Sequence, residues 1–192
     1  MSKGELFRRA FHLCAPVFLV YYAMPGDMWG LGVSREQLLL IVLAGVLMIE
    51  AARYAKGITF LGLRDYEAKR ISAYAWAGMG LTIAFLCFPM HLVVPVVFGI
   101  GWTDPLIGVL RKRSSSLYPG LPFLLYSMIC ACAFALLNLC EIFYLLPLPL
   151  IGSAAALASE YPKSRVVDDD FLMQVVPLGV MYLVEHLYLI YL

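Results

Sequence analysis

The sequence predicts an all-α fold, a single transmembrane domain over residues 1–192 built as a bundle of about seven membrane-crossing helices. Three observations carry that expectation. Hydrophobic residues make up 62% of the chain and charged residues only 14%, against roughly 25% charged in ordinary soluble domains, and the mean hydropathy is +0.85. The apolar residues fall in runs near the length of about 20 that a helix needs to cross a bilayer. Thirteen of the 14 Lys and Arg residues cluster at alternate ends of those runs, with Arg35 the exception.

Taken in order, the first run covers about 9–24 and is stopped by Pro25-Gly26; no small-residue cleavage site follows Arg9, so this segment is expected to be retained. The second covers about 36–54, the third 71–89 and the fourth 91–110. The fifth follows Pro119 to about Leu139, the sixth spans 142–159, and the seventh begins at Phe171. Runs three and four are separated only by Phe88-Pro-Met-His91, and runs five and six by Cys140-Glu141, so each pair is antiparallel. Between runs two and three, 54–71 mixes Phe60, Leu61 and Leu63 with charges, the pattern of a short interfacial helix. Small residues from Ala73 to Gly80, Gly78 among them, permit close helix approach.

The basic residues set the orientation. Cytoplasmic segments are enriched in Lys and Arg, which places 1–8, 54–71, 111–118 and 160–170 inside. The N-terminus is then cytoplasmic and the C-terminus external, in a multi-pass protein of the cell membrane. The net charge of +1 conceals this asymmetry. A nucleic-acid footprint is excluded, because the basic residues are scattered through short loops that also carry acids. The five cysteines, Cys14, Cys87, Cys130, Cys132 and Cys140, match no zinc or redox spacing and read as small core residues.

The chemistry-bearing residues gather on the cytoplasmic side. Glu5, Arg8 or Arg9, and His12 share a helix face by spacing, and His12, one turn deeper than Arg8, needs a partner there. Glu50 and Arg53 read as an intrahelical ion pair. Asp104 stands inside an apolar helix, before Pro105 and between Gly101 and Gly108. A carboxylate in a span points to function unless it pairs with Arg53 or Arg111, and with phosphate it suits a hard divalent ion. Glu160, Lys163, Arg165 and the run Asp168-Asp169-Asp170 follow the sixth run, across the same surface from Arg111-Lys112-Arg113. Carboxylates for Mg²⁺ beside Lys and Arg for phosphate oxygens are what a metal–nucleotide site requires. No P-loop, kinase Gly-rich loop or dinucleotide fingerprint occurs. Glu185 and His186, toward the outer side, read as structural pairing.

The order Glu5-x-x-Arg8-Arg9-x-x-His12, then a Glu-bearing basic loop leading into Ser72-Ala-Tyr74, Thr103-Asp104-Pro-Leu-Ile-Gly108 before a basic loop, Ser159-Glu160, Asp168-Asp169-Asp170 and Pro177 resembles the dolichol kinase and phytol kinase family. These are CTP-dependent polyprenol kinases related to phosphatidate cytidylyltransferases. The resemblance runs over nearly the whole chain through short, degenerate motifs. Thr103 stands where the family commonly has Gly, a third Asp replaces Asn in its acidic signature, and a Lys and Glu-Gly motif has no counterpart after the fourth run.

The resemblance implies a kinase that transfers phosphate from CTP to a lipid alcohol of polyprenol or isoprenoid type, with Mg²⁺ as cofactor. Asp104, Asp169 and Asp170 would be catalytic, and Asp104, Glu160, Asp168 and Asp169 would hold the metal. Arg9, His12, Arg111, Lys112, Lys163 and Arg165 would bind the nucleotide. The expected partners are the lipid alcohol, the nucleoside triphosphate and membrane lipids, with room for a homo-oligomer. Cytidylyl transfer onto a phospholipid and a non-catalytic lipid-binding role are the alternatives. A transporter is disfavoured because the ionisable groups lie at one face and not at the midplane.

Overall fold

The computed structural model describes residues 3–28, 30, 32–113, 116–160 and 167–191, and over these the chain is helical with no strand. Helix α1 (Lys3–Leu13) gives way to a 3₁₀ stretch, Ala15–Ala23. Pro16 explains the change: it has no N–H for the His12 carbonyl and its ring crowds that carbonyl. Helix α2 (Arg35–Lys56) opens on a capping box between Ser34 and Gln37 and closes at Gly57, whose φ of +63° side chains disfavour. The segment expected as an interfacial helix is instead a series of turns with a short 3₁₀ helix, Asp65–Lys69. Gly57 and Gly62, both at positive φ, turn the chain there. Five helices follow in quick succession: α3 (Ala73–Cys87), α4 (Met90–Lys112), α5 (Gly120–Leu136), the one-turn α6 (Ile142–Leu145) and α7 (Pro147–Glu160). The last is α8 (Asp169–Tyr191).

Among the described residues, four helical segments are long and apolar enough to cross a membrane: α2, α4, α6 with α7 as 142–160, and α8; α3 and α5 are shorter apolar helices. Helix α8 packs on α7, α3 and α4, while α5 lies against α4 and α7. Their shared core includes Leu92, Val96, Tyr126, Phe134, Leu148, Met173 and Met181. Helix α1 runs along α4, and α2 packs against α3.

Helix α2 inverts the pattern of a soluble helix. Its buried side chains are Glu50 and Arg53, whereas Ile41, Met48 and Ile49 are 60%, 68% and 59% exposed. Charge inside and aliphatic surface outside fits a helix surrounded by hydrocarbon. The same reasoning covers the cysteines: Cys130 is in the core, but Cys14, Cys87, Cys132 and Cys140 lie on the apolar exterior, contrary to the core reading.

Two further expectations are refined. Close approach along α3 falls at Gly80, where a Cβ would meet the Gln174 Oε1 at 2.5 Å, and not at Gly78, whose Cβ would sit an ordinary 3.8 Å from Val46. Glu185 pairs with His91 Nε2 (2.8 Å) and accepts from the Tyr144 hydroxyl (2.8 Å), while the neighbouring His186 ring stacks on Tyr182.

Glu50 and Arg53 do more than pair within α2. Arg53 donates twice to Glu50 (2.7 and 2.9 Å) and once to the Arg70 carbonyl (2.6 Å). Glu50 also accepts from the Ser72 backbone N–H (2.7 Å) and hydroxyl (2.9 Å). This network fastens the start of α3 to the end of α2. Arg53→Leu leaves the Glu50 carboxylate buried without its cation, and is expected to cost about 3 kcal/mol. Thermal unfolding in detergent measures it, and adding Glu50→Leu should recover part of the loss.

Candidate active site

Three elements converge on one cluster of acid and imidazole groups. Helix α1 delivers His12 from its last turn, α4 delivers Asp104 from mid-helix, and α8 delivers Asp170 from its first turn. The His12 Nε2 lies 3.5 Å from Asp104 Oδ2 and 3.8 Å from Asp170 Oδ2. The side chains are 12%, 17% and 5% exposed respectively. One ligand atom from each residue can be chosen so that all lie within 4.8 Å of one another, the spacing of a potential metal site; Asp168, Asp169 and Asp170 form a second such group.

Local sequence explains the convergence. Pro16 denies the His12 carbonyl its i+4 donor, and this carbonyl packs against Gly101, where a Cβ would stand 2.7 Å from it. The missing side chain at 101 is what lets the end of α1 settle onto α4 one turn before Asp104. Pro105 in turn withdraws the donor from the Gly101 carbonyl. At α8, Asp168 acts as a cap: its Oδ1 accepts from the Asp170 N–H (3.1 Å) and its carbonyl from the Leu172 N–H (3.3 Å). The cap turns Asp170 inward toward His12. Burial, followed by the charges of Asp170 and Asp169, pushes the Asp168 carboxyl up to about 7. Three crowded carboxyl groups favour a bound cation or a retained proton.

The remaining predicted residues divide between neighbouring clusters. Arg111 pairs with buried Glu160, which also accepts from the Tyr118 hydroxyl (3.2 Å). Arg9 and Lys112 both reach Glu5, at 2.9 and 2.6 Å, and Lys112 holds the Glu5 carboxyl below its ordinary range. Asp104 is thus beside His12 and Asp170, while Arg53 and Arg111 have Glu50 and Glu160 as partners. Lys163 and Arg165 lie outside the described residues.

Arg8, Glu67 and Gln174 join His12 and Asp170 in lining a cavity of about 40 Å³, space for a hydroxyl-sized group. The sequence reading passed over Glu67 and Gln174 as site residues. Gln174 follows Asp170 by one helical turn, so the i+4 spacing could have flagged it; Glu67 stands in the basic loop before Ser72, which puts it among the acids of the expected cytoplasmic face without a ligand role. Glu67 is fully buried, accepting from the Ala73 N–H at 3.1 Å. The small cavity shares Phe11, Phe18, Tyr74, Ala77 and Leu81 with a much larger apolar groove of about 530 Å³. That groove is walled by α1, the 3₁₀ stretch, α2, α3 and the turn at Phe60-Leu61. No protein-family model, curated protein or solved structure matches the chain.

Gly101→Ala tests the contact that seats His12. The added methyl must push the end of α1 off α4, costing roughly 1 to 3 kcal/mol. A lower melting temperature in detergent is expected, whereas Gly108→Ala, which meets nothing within 4 Å, should leave it unchanged.

Proposed function

We propose that the protein is a CTP-dependent kinase acting on a membrane lipid alcohol of polyprenol or isoprenoid type. The observation that carries the reading is the juxtaposition of the His12–Asp104–Asp170 cluster with the apolar groove through a shared cavity wall. A lipid tail in the groove would bring its hydroxyl to the carboxylates. The resemblance to the polyprenol kinases in the order of short motifs supports the same chemistry.

Asp104, with Asp168 and Asp169, offers hard oxygen donors that fit Mg²⁺ and leaves Asp170 beside them as the base. When bound, the ion would neutralise charge on the triphosphate. Arg8, on the cavity wall, would face phosphate oxygens. Arg9, Arg111 and Lys112, held in place by Glu5 and Glu160, would extend that basic rim. The alcohol oxygen attacks the γ-phosphorus, the bond to the β-phosphate oxygen breaks, CDP leaves, and the hydroxyl proton passes to the Asp170 carboxylate. Positioning and charge stabilisation suffice for this transfer.

The topology that goes with this function is seven crossings, a cytoplasmic N-terminus and site, and an external C-terminus. At 1.5 Å per α-helical residue and 2.0 Å per 3₁₀ residue, residues 9–23 would extend roughly 27 Å, close to the thickness of the hydrocarbon core. A reporter fused to the C-terminus should read external and a tag in the 111–118 loop cytoplasmic; a cytoplasmic C-terminus sinks this topology.

A second reading, cytidylyl transfer to a phospholipid, draws on Arg8, which is placed to take a lipid phosphate. Purified protein incubated with CTP, Mg²⁺ and a panel of lipid alcohols and phospholipids separates the two. CDP with lipid phosphate identifies the kinase, pyrophosphate with CDP-lipid the transferase, and no product a lipid-binding role. Asp104→Asn should keep the melting temperature and lower turnover by about 10² to 10³. A destabilised but active Asn variant would remove Asp104 from the chemistry.

A further inference from the structure

Of the cavity's polar groups that the proposed transfer does not use, Gln174 is one with an unmet acceptor among the described residues. Gln174 lies on α8 one turn deeper than Asp170, on the same helix face. It is 8% exposed, lines the same cavity as His12 and Asp170, and its Oε1 has no hydrogen-bond partner among the described residues. An unmet buried acceptor costs free energy, so a ligand donor at this point would relieve it. Space is kept for the amide by Gly80, since a Cβ there would meet Oε1 at 2.5 Å. The nearby hydroxyls are engaged elsewhere: Tyr74 donates to the Leu61 carbonyl (2.9 Å) and Thr82 to the Gly78 carbonyl (2.8 Å).

We infer that Gln174 selects the head of the membrane substrate, its Oε1 accepting a hydrogen bond from the hydroxyl of a neutral lipid alcohol that enters by the apolar groove. The inference rests on the lipid-alcohol reading and sharpens it. Residues four apart on a helix have Cβ atoms about 5–6 Å apart, so rotation about the C–O bond carries the single proton of a hydroxyl held by Gln174 from Oε1 to the Asp170 carboxylate when transfer begins. An ionised phosphate head offers no donor to Oε1. Gln174 therefore favours a head that carries a hydroxyl over a phospholipid head.

The test uses the full chain in detergent and three probes with one tail: geranylgeraniol, its methyl ether and its monophosphate. Affinity is read from the ligand-dependent rise in melting temperature. The wild-type protein should bind the alcohol about tenfold tighter than the ether, which cannot donate, and tighter than the monophosphate. Gln174→Leu should bind alcohol and ether alike, and its ether binding reports an intact groove. Gln174→Glu, which keeps an acceptor oxygen, should preserve the preference. Should the Leu variant not melt cooperatively, Gln174→Met takes its place. Equal binding of alcohol and ether by the wild type, or an unchanged preference in the Leu variant, overturns the role of Gln174 while leaving the lipid-alcohol reading standing. Tightest binding of the monophosphate, the product of the proposed transfer, overturns only the role of Gln174; no binding of any probe overturns both.

Discussion

An ionisable group enclosed by apolar helices must find an opposite charge or a set of hydrogen bonds, because hydrocarbon offers neither. Much of this structure follows from that requirement. Glu50 and Arg53 face inward from a helix whose other faces are aliphatic, and by holding Ser72 and the Arg70 carbonyl they fix where α3 begins. At the opposite end of the bundle, Glu185 joins α8 to α4 through His91 and to α6 through Tyr144. Glu160 ties the end of α7 to Arg111 at the end of α4. Each buried acid therefore serves as a fastener between elements, at positions where aliphatic contact alone would leave helices free to slide.

The His12–Asp104–Asp170 cluster differs from these fasteners. Its separations of 3.5 and 3.8 Å are those of groups held near one another without direct hydrogen bonding. Two carboxylates and one imidazole come together because backbone features force them to. Proline at 16 ends α1 at the right depth, glycine at 101 admits its carbonyl, and the Asp168 cap orients the first turn of α8. A cluster that the backbone imposes, rather than one that its own hydrogen bonds satisfy, has coordination capacity left for a ligand.

The apolar groove gives that capacity a context. Its walls come from elements far apart in sequence, and α2, its outer wall, is packed on little besides α3. On the proposed lipid reading, a groove bounded by a peripheral helix would give a substrate dissolved in the bilayer a lateral route. The polar end and the apolar end share Phe11, Phe18 and Tyr74, so a ligand spanning both would have its charge-bearing and hydrocarbon parts sorted by the same few side chains.

The helical class, the longest apolar segments and the short turns at 88–91 and 140–141 are legible in the sequence alone. Those properties depend on composition, on runs of roughly twenty residues and on the cost of charge in hydrocarbon, all of which are local. The acidic run ahead of the seventh segment is legible too, and in the fold Asp168 caps the helix that follows. Tertiary structure alone decided which acid meets which base. Arg111 might have served Asp104 by spacing on α4, yet it turns to Glu160, and Glu185 passes over adjacent His186 for His91, 94 positions away. Partner choice depends on which helices touch and at what depth, and a single apolar helix pattern is compatible with many such arrangements. The unmet oxygen of Gln174 and the groove beside it are likewise properties of packed surfaces, invisible until α1, α3 and α8 are set against one another.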